Sequence, residues 1–333
     1  MKKILITGGA GYVGSLLTLR LSELGHKVII YDTCYFGKDH IKQNENLKLI
    51  IGDIRDKNKY ESAVDGCDIV IHLACISNDP SYALNEKLSK TINYDCFEDL
   101  VKVSKKKGVK LFIFASSSSV YGFSENENVT ENHPLVPLTL YNKFKGLCEP
   151  LLLKHVDNKF IGTILRPATL CGYAPHCRLD LSVNILTNHA VNNKKIIVLG
   201  GGEQKRPNLH VQDMCRAYEE IIKAKPDVIN NQIFNVSFEN KKIIQLAEIV
   251  KKNVQNFFNL KNIEIEIKQE TVDKRSYHVN SDKIKKVLNF NTKFNIDNAV
   301  NSLCTAFQDG NLKNSMSDKK YVNVSVLKSL NVK

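Results

Sequence analysis

The apolar and polar positions of the chain fall into a repeating order. The short apolar run KKILIT (2–7) is followed by GYVGSLLTLRLSEL (11–24), in which Leu16, Leu17, Leu21 and Leu24 recur at helical spacing, and then by KVIIYD (27–32). Short apolar runs predict strands and a 3.6-residue period predicts a helix, so the chain opens with one strand–helix–strand unit. The alternation continues through LKLIIGD (47–53), a polar helix over 57–64, CDIVIHLA (67–74), a long helix within 85–107 and KLFIFASS (110–117). A loop rich in Glu, Asn and Pro (124–138) leads to a helix near 140–155 and the strand FIGTILRP (160–167). Strands regularly separated by helices imply an α/β fold with a parallel sheet covered on both faces.

Beyond about residue 170 the alternation loosens. GGGEQKRPNLHVQD (200–213) and the shorter elements after it predict a smaller second lobe, and the residues after about 311 are polar and weakly patterned. The expected division is therefore 1–170 for the sheet domain, 171–315 for the lobe, with some exchange of chain between them, and 316–333 for a surface extension. No internal repeat interrupts this layout.

Composition changes the picture little. A chain of 333 residues is long for one core, and its 43% hydrophobic and 25% charged content is that of an ordinary globular protein. No apolar stretch approaches the ~18 residues that span a bilayer, and no signal-peptide pattern opens the chain, so a cytoplasmic location is expected. The nine cysteines are scattered singly, which suggests neither a disulfide framework nor a zinc site. The net charge of +12 is spread in short runs such as Lys105-Lys106-Lys107 and carries no nucleic-acid motif, so a nucleic-acid partner is not expected.

The chemistry concentrates at two places. Gly8, Gly11 and Gly14 lie in seven residues between the first strand and the first helix, with Asp32 ending the second strand. Glycine there permits a tight turn and lets backbone N–H groups approach a pyrophosphate, while Asp32 stands where a ribose hydroxyl needs an acceptor; a plain glycine-rich turn would lack the acidic partner. The second place is SSSSVYG (116–122) with YNKFK (141–145). Tyr141 and Lys145 are four apart and share a helix face, where a cation favours the phenolate. Taken alone, such a pair also fits an ordinary helical surface.

Together, TGGAGYVG, the serine-rich strand end and Tyr-x-x-x-Lys resemble the extended short-chain dehydrogenase/reductase family of nucleotide-sugar enzymes over nearly the whole chain. The SSSSVYG stretch is most similar to the UDP-glucose 4-epimerase-like branch. The resemblance implies a Rossmann-type doubly wound sheet, NAD as cofactor, a nucleotide-diphosphate sugar as substrate and no metal. It implies cofactor contacts from Gly8, Gly11, Tyr12, Val13, Gly14, Asp32, Asp53, Ile54, Leu73, Ala74, Asn93 and Pro167, with the strand end His72-Leu73-Ala74 lining the cofactor, and catalysis by Tyr141, Lys145, Ser117 and Ser119, the two serines also meeting substrate. It places Arg206 and Arg275 on the nucleotide diphosphate and Arg178 and Asn184 near the sugar nucleotide. It leaves His210 and Asp213 as fixed neighbours of Arg206, and it implies a homodimer through the helices near 85–107 and 140–155, whose Leu88, Ile92, Leu100, Phe144, Leu147 and Leu151 exceed one sheet-facing stripe.

The implied reaction is epimerisation by transient oxidation, most simply at C4. A dehydrogenase or reductase handling a 4-keto sugar, and a non-catalytic NAD-binding protein, are the alternatives. The 4,6-dehydratase branch carries an Asp-Glu pair where this chain has Ser118-Ser119, so water elimination is not expected.

Overall fold

The computed structural model describes residues 1–124, 126, 128–269 and 278–330. In chain order the strands are β1 (Lys3–Thr7), β2 (Lys27–Asp32), β3 (Leu47–Ile51), β4 (Ile69–His72), β5 (Leu111–Ala115), β6 (Ile161–Pro167), β7 (Thr169–Cys171), β8 (Lys195–Leu199), β9 (Lys205–His210), β10 (Gln232–Val236), β11 (Glu239–Lys242) and β12 (Glu264–Lys268). Seven of them form one parallel sheet in the order β10-β6-β5-β4-β1-β2-β3. The chain winds outward in both directions from β1 and β4, and the carboxyl ends of strands flanking such a reversal diverge into a crevice that takes ligands.

Period-two alternation puts successive residues of β1 on opposite faces. Ile4 and Ile6 join the core under α1 (Tyr12–Glu23), whereas Leu5 joins the other core, which includes Tyr60 and Ala63 of α2 (Lys57–Val64). A short α3 (Asp79–Tyr82) and α4 (Glu86–Lys90) lead to α5 (Phe97–Lys106). The long helix predicted within 85–107 is thus broken, and a π-helical turn over Thr91–Asp95 separates its halves. That turn presents Asn93, whose amide accepts from Ile76 N (2.8 Å) and donates to Ile76 O (2.9 Å), bracing the loop after β4. One extra residue in a turn leaves no mark on hydrophobic periodicity, which is why the sequence reads as continuous.

After α6 (Leu140–Leu153) and β6, the chain builds the lobe on α7 (Ser182–Asn193), then crosses back. Helix α8 (Val211–Lys223) packs on α1, and β10 extends the main sheet after the short α9 (Pro226–Ile229). The lobe has its own core between α7, α10 (Ile243–Phe258) and α12 (Ile296–Gln308), with the short α11 (Asp282–Leu288) beside β10. The segment after 311 does not project as a surface extension. Leu312 and Tyr321 are buried in a cluster with Cys177 and Leu303, and Leu327 of α13 (Asn323–Leu330) joins the core below α5. Leu312, Tyr321, Val326 and Leu327 are the buried apolar residues of this docking among the described residues, and their irregular spacing is what makes the segment look unpatterned.

Three of the apolar positions read as surplus on the outer helices, Ile92, Leu100 and Phe144, are buried within this chain's own packing. Leu147 remains exposed on α6, and Leu88 and Leu151 are partly covered. Among the described residues no helix is long and apolar enough to cross a membrane.

Candidate active site

The strand ends open into a cavity of about 570 Å³ between the sheet and the lobe. Its first wall is backbone. Gly8 leaves β1 with φ +73°, and a Cβ there would lie 2.6 Å from Ala74 N; a Cβ on Gly14 would lie 2.5 Å from Gly8 O. Both positions are closed to side chains by neighbouring main chain. Gly11 differs, because a Cβ there meets only Gly8 O at 3.2 Å and would otherwise fill the cavity. Gly11, Tyr12, Val13 and Gly14 line the cavity at the start of α1, whose first turn carries no acidic residue. Unspent N–H groups and the positive end of the helix dipole therefore face open space, which suits a pyrophosphate.

Asp32 lines the same wall. Its carboxylate accepts from Ala10 N (3.0 Å) and Cys34 N (2.8 Å); burial pushes its pKa up and those N–H groups oppose the shift. Each oxygen keeps a second lone pair for a ribose hydroxyl. Asp53 is buried enough for its pKa to rise, but the Arg55 guanidinium (2.6 Å) and N–H hold it below the usual carboxylate range. Ile54, Leu73, Ala74 and Pro167 complete the wall with apolar surface. His72 is the exception in its stretch. Its ring turns into the core, bonded to Thr7 Oγ1 (2.8 Å) and packed on Phe97 and Phe114, and burial with nearby Lys145 pushes its pKa down to about 3.

The second wall is the exit of β5 facing α6. Thr139 caps α6 by accepting from Asn142 N, and the first two turns of the helix present Tyr141 and Lys145 to the cavity. Lys145 is buried, donates to Ala115 O (2.6 Å) and lies 5.0 Å from the Phe114 ring centre. Ser117 Oγ stands 2.7 Å from Ser119 Oγ, which in turn donates to Asn142 Oδ1 (2.6 Å). Behind them Ser116 donates to Glu149 (2.6 Å), and Glu149 takes two bonds from Arg166 (2.9 and 2.6 Å), a buried pair that pins the end of β5 to β6 and α6.

The third wall joins distant segments. Arg178 and Arg206 both line the cavity. The Arg178 guanidinium donates to Asp180 (2.9 and 3.1 Å) and Ser77 (3.1 Å); Asp180 also accepts from Asn78 Nδ2 and Asn323 N, and Asn323 Nδ2 donates to Ser77 (2.9 Å). Arg206 sits on β9 with Nη1 on Lys205 O (3.0 Å). Asn184 and Asn93 stand outside the cavity wall. Asn184 is fully buried, accepting from Gly172 N (2.9 Å) and donating to Arg178 O (2.8 Å), so it fixes the backbone beneath Arg178. Arg275 lies outside the described residues. His210 caps α8 and Asp213 accepts from Lys293 N and Phe294 N, both as braces of β9 and the lobe.

Residues 4–237 match the NAD dependent epimerase/dehydratase family. The chain belongs to this family. It is 32% identical over 259 residues, 73% of this chain and 77% of the relative, to the UDP-N-acetyl-alpha-D-glucosaminuronate decarboxylase of Bacillus cytotoxicus. It is 30% identical over 234 residues, 68% of this chain and 75% of the relative, to a putative UDP-glucose 4-epimerase of Methanocaldococcus jannaschii. Among solved structures its fold is similar to MoeE5 in complex with UDP-glucuronic acid and NAD, with a TM-score of 0.81, 20% identity, and 92% of this chain and 99% of that one covered.

The residues fit the family's cofactor. Gly11 leaves the cradle that a Cβ would fill, the start of α1 offers uncommitted N–H groups, and Asp32 retains acceptor capacity, so NAD is the cofactor of this family member. Sequence reasoning missed Ser77, Asn78, Asp180 and Asn323, which build the third wall. The Asn78-Asp79-Pro80 helix start was legible as a cap followed by proline. Asn323 left no signal, because only the docking of the last helix brings it to the cavity.

Proposed function

We propose that this protein is an NAD-dependent nucleotide-sugar epimerase that transiently oxidises a sugar hydroxyl, at C4, with Tyr141 as acid and base. The observation that carries the reading is the convergence of Tyr141, Lys145, Ser117 and Ser119 on one wall of a cavity whose adjoining wall fits NAD. Lys145 favours the Tyr141 phenolate by its charge, and Tyr141 takes the proton of the sugar hydroxyl. NAD, when bound against the glycine wall, would supply hydride exchange at the sugar carbon. Ser117 hydrogen-bonds the sugar oxygen as it becomes a carbonyl, and Tyr141 returns the proton when hydride comes back to the other face of the turned-over sugar. Arg206 takes the nucleotide diphosphate, together with Arg275, because guanidinium suits bidentate phosphate binding. Arg178 is assigned to shaping the sugar pocket instead, since Asp180 neutralises it. The enzyme works as a homodimer through the outer faces of α4 and α6, where Leu147 is exposed and Leu88 and Leu151 are only partly covered.

The decarboxylase relative supports a second reading with the same first step. On a uronic acid, oxidation at C4 places the ketone β to the C6 carboxylate, which then loses carbon dioxide, and the enolate left behind takes up a proton at C5 from water. Substrate choice would decide between the two products. Purified protein incubated with a panel of UDP-sugars and UDP-uronic acids, with products read by mass and NMR, tests this: an epimer of unchanged mass supports the proposal and loss of carbon dioxide the second reading. A product lighter by one water overturns both, since Ser118 and Ser119 replace the carboxyls that elimination needs.

A further inference from the structure

The short hydroxyl relay at the exit of β5 has a direction. Ser119 has one hydroxyl proton, and it is given to Asn142 Oδ1 at 2.6 Å. The Ser117–Ser119 contact at 2.7 Å must then run the other way, with Ser117 donating and Ser119 accepting, while Ser119 N–H also points at Ser117 Oγ (3.2 Å). In this state Ser117 offers the cavity a lone pair. Since the sugar's own proton is directed to Tyr141, the sugar oxygen, alcohol or ketone, can only accept from Ser117, and this state withholds that bond.

Asn142 itself is fully buried, and its Nδ2 has no hydrogen-bond partner. The observed orientation of the amide therefore satisfies only half of it. Turning the amide over would aim Nδ2–H at Ser119, whose proton would pass its bond to Ser117, leaving the Ser117 proton for the cavity. That orientation strands Oδ1 in place of Nδ2. Neither arrangement is fully paired, so neither is locked by its own hydrogen bonds.

We propose that Asn142 is a positioning residue whose side-chain amide sets the direction of hydrogen bonding through Ser119 and Ser117, withholding the Ser117 proton while Oδ1 faces Ser119 and releasing it to the sugar oxygen when Nδ2 does. No proton enters or leaves the relay. Rotations of the two hydroxyls and the amide exchange donor and acceptor roles, while the sugar's proton goes to Tyr141 and its hydride to NAD. The inference rests on the proposed oxidation step and not on whether the product is an epimer or a decarboxylated sugar.

The test compares two variants of similar shape in the full chain with NAD bound. Asn142→Asp, when ionised, offers only acceptors and fixes the relay in the direction that withholds the Ser117 proton from the sugar; Asn142→Leu removes the amide and leaves Ser119 to choose. We expect Asn142→Leu to lose several-fold in kcat and Asn142→Asp roughly tenfold more, with KM held within about twofold and kcat of Asn142→Asp recovering as pH falls and the new carboxyl regains a donor. In a Ser119→Ala background, which cuts the relay, either change at 142 should have little further effect. Equal losses from the two variants, or a loss that persists undiminished with Ser119→Ala, would overturn the relay. Should Asn142→Asp fail to hold its melting temperature, Asn142→Leu with and without Ser119→Ala decides the matter. A wild-type protein that turns over no nucleotide sugar removes the oxidation reading itself, and the relay with it.

Discussion

The two long walls of the cavity are made in opposite ways. The cofactor wall comes from consecutive strand ends of one sheet and is largely main chain, with Gly8 and Gly14 each blocked by backbone within 2.6 Å of where a Cβ would stand. The wall across from it is side chain, in which Ser77, Asn78, Arg178, Asp180 and Asn323 from three distant segments hold one another. A wall of backbone fixes one ligand shape and tolerates no substitution. A wall of paired side chains can be retuned residue by residue, which is the property a substrate pocket needs if relatives on the same sheet act on different sugars.

The largest effect that would sharpen this contrast is acid sensitivity. Burial holds three histidines neutral, with pKa values pushed down to about 3 for His72 in the sheet and about 4 for His176 and His210 by the lobe. Their unfolded pKa lies near 6.5, so the unfolded chain gains protons that the folded chain refuses. Their contribution is intact above about pH 6.5 and is lost as pH falls toward 4, by up to about 1.4 kcal/mol per pH unit for each ring. Melting temperature measured from pH 7.5 to 4.5 should fall steeply below 6.5, and a flat profile would break the assignment.

Where the walls meet, Tyr141→Phe should lower kcat by roughly 10²-fold or more while NAD binding persists. Near-normal turnover of that variant would take Tyr141 out of the mechanism. On the cofactor wall, the partly buried Asp32 carboxylate would face a 2′-phosphate, a like-charge encounter that costs several kcal/mol, so calorimetry should find NADP bound about 10²-fold more weakly than NAD. Gly14→Ala forces a Cβ to 2.5 Å from Gly8 O and should cost about 1–3 kcal/mol in stability, read by denaturant unfolding, with NAD affinity falling alongside. The smallest effect belongs to the side-chain wall. Asn323→Ala removes the bond to Ser77 and should raise the sugar-nucleotide KM several-fold with NAD affinity unchanged. An equal loss of NAD affinity would mean that the two walls are not separable.

By itself the sequence determined the sheet, its parallel order of strands and helices, and the glycine turn with Asp32, because each depends on residues close in the chain: a hydrophobic period, a turn, a strand end. It also brought Ser117, Tyr141 and Lys145 into view, since a helix face and a strand exit have fixed spacing. Only the tertiary structure decided what shares a space across the chain. It turned His72 into the core and made Asn184 a brace under Arg178, because which way a strand or loop residue faces depends on what packs against it. It set Asn142 at the end of a hydroxyl relay, and it folded a polar, irregular tail back so that Asn323 reaches Asp180 across 143 residues of chain. Those contacts are fixed by burial and hydrogen-bond satisfaction among distant segments, for which no local pattern in the chain is a signal.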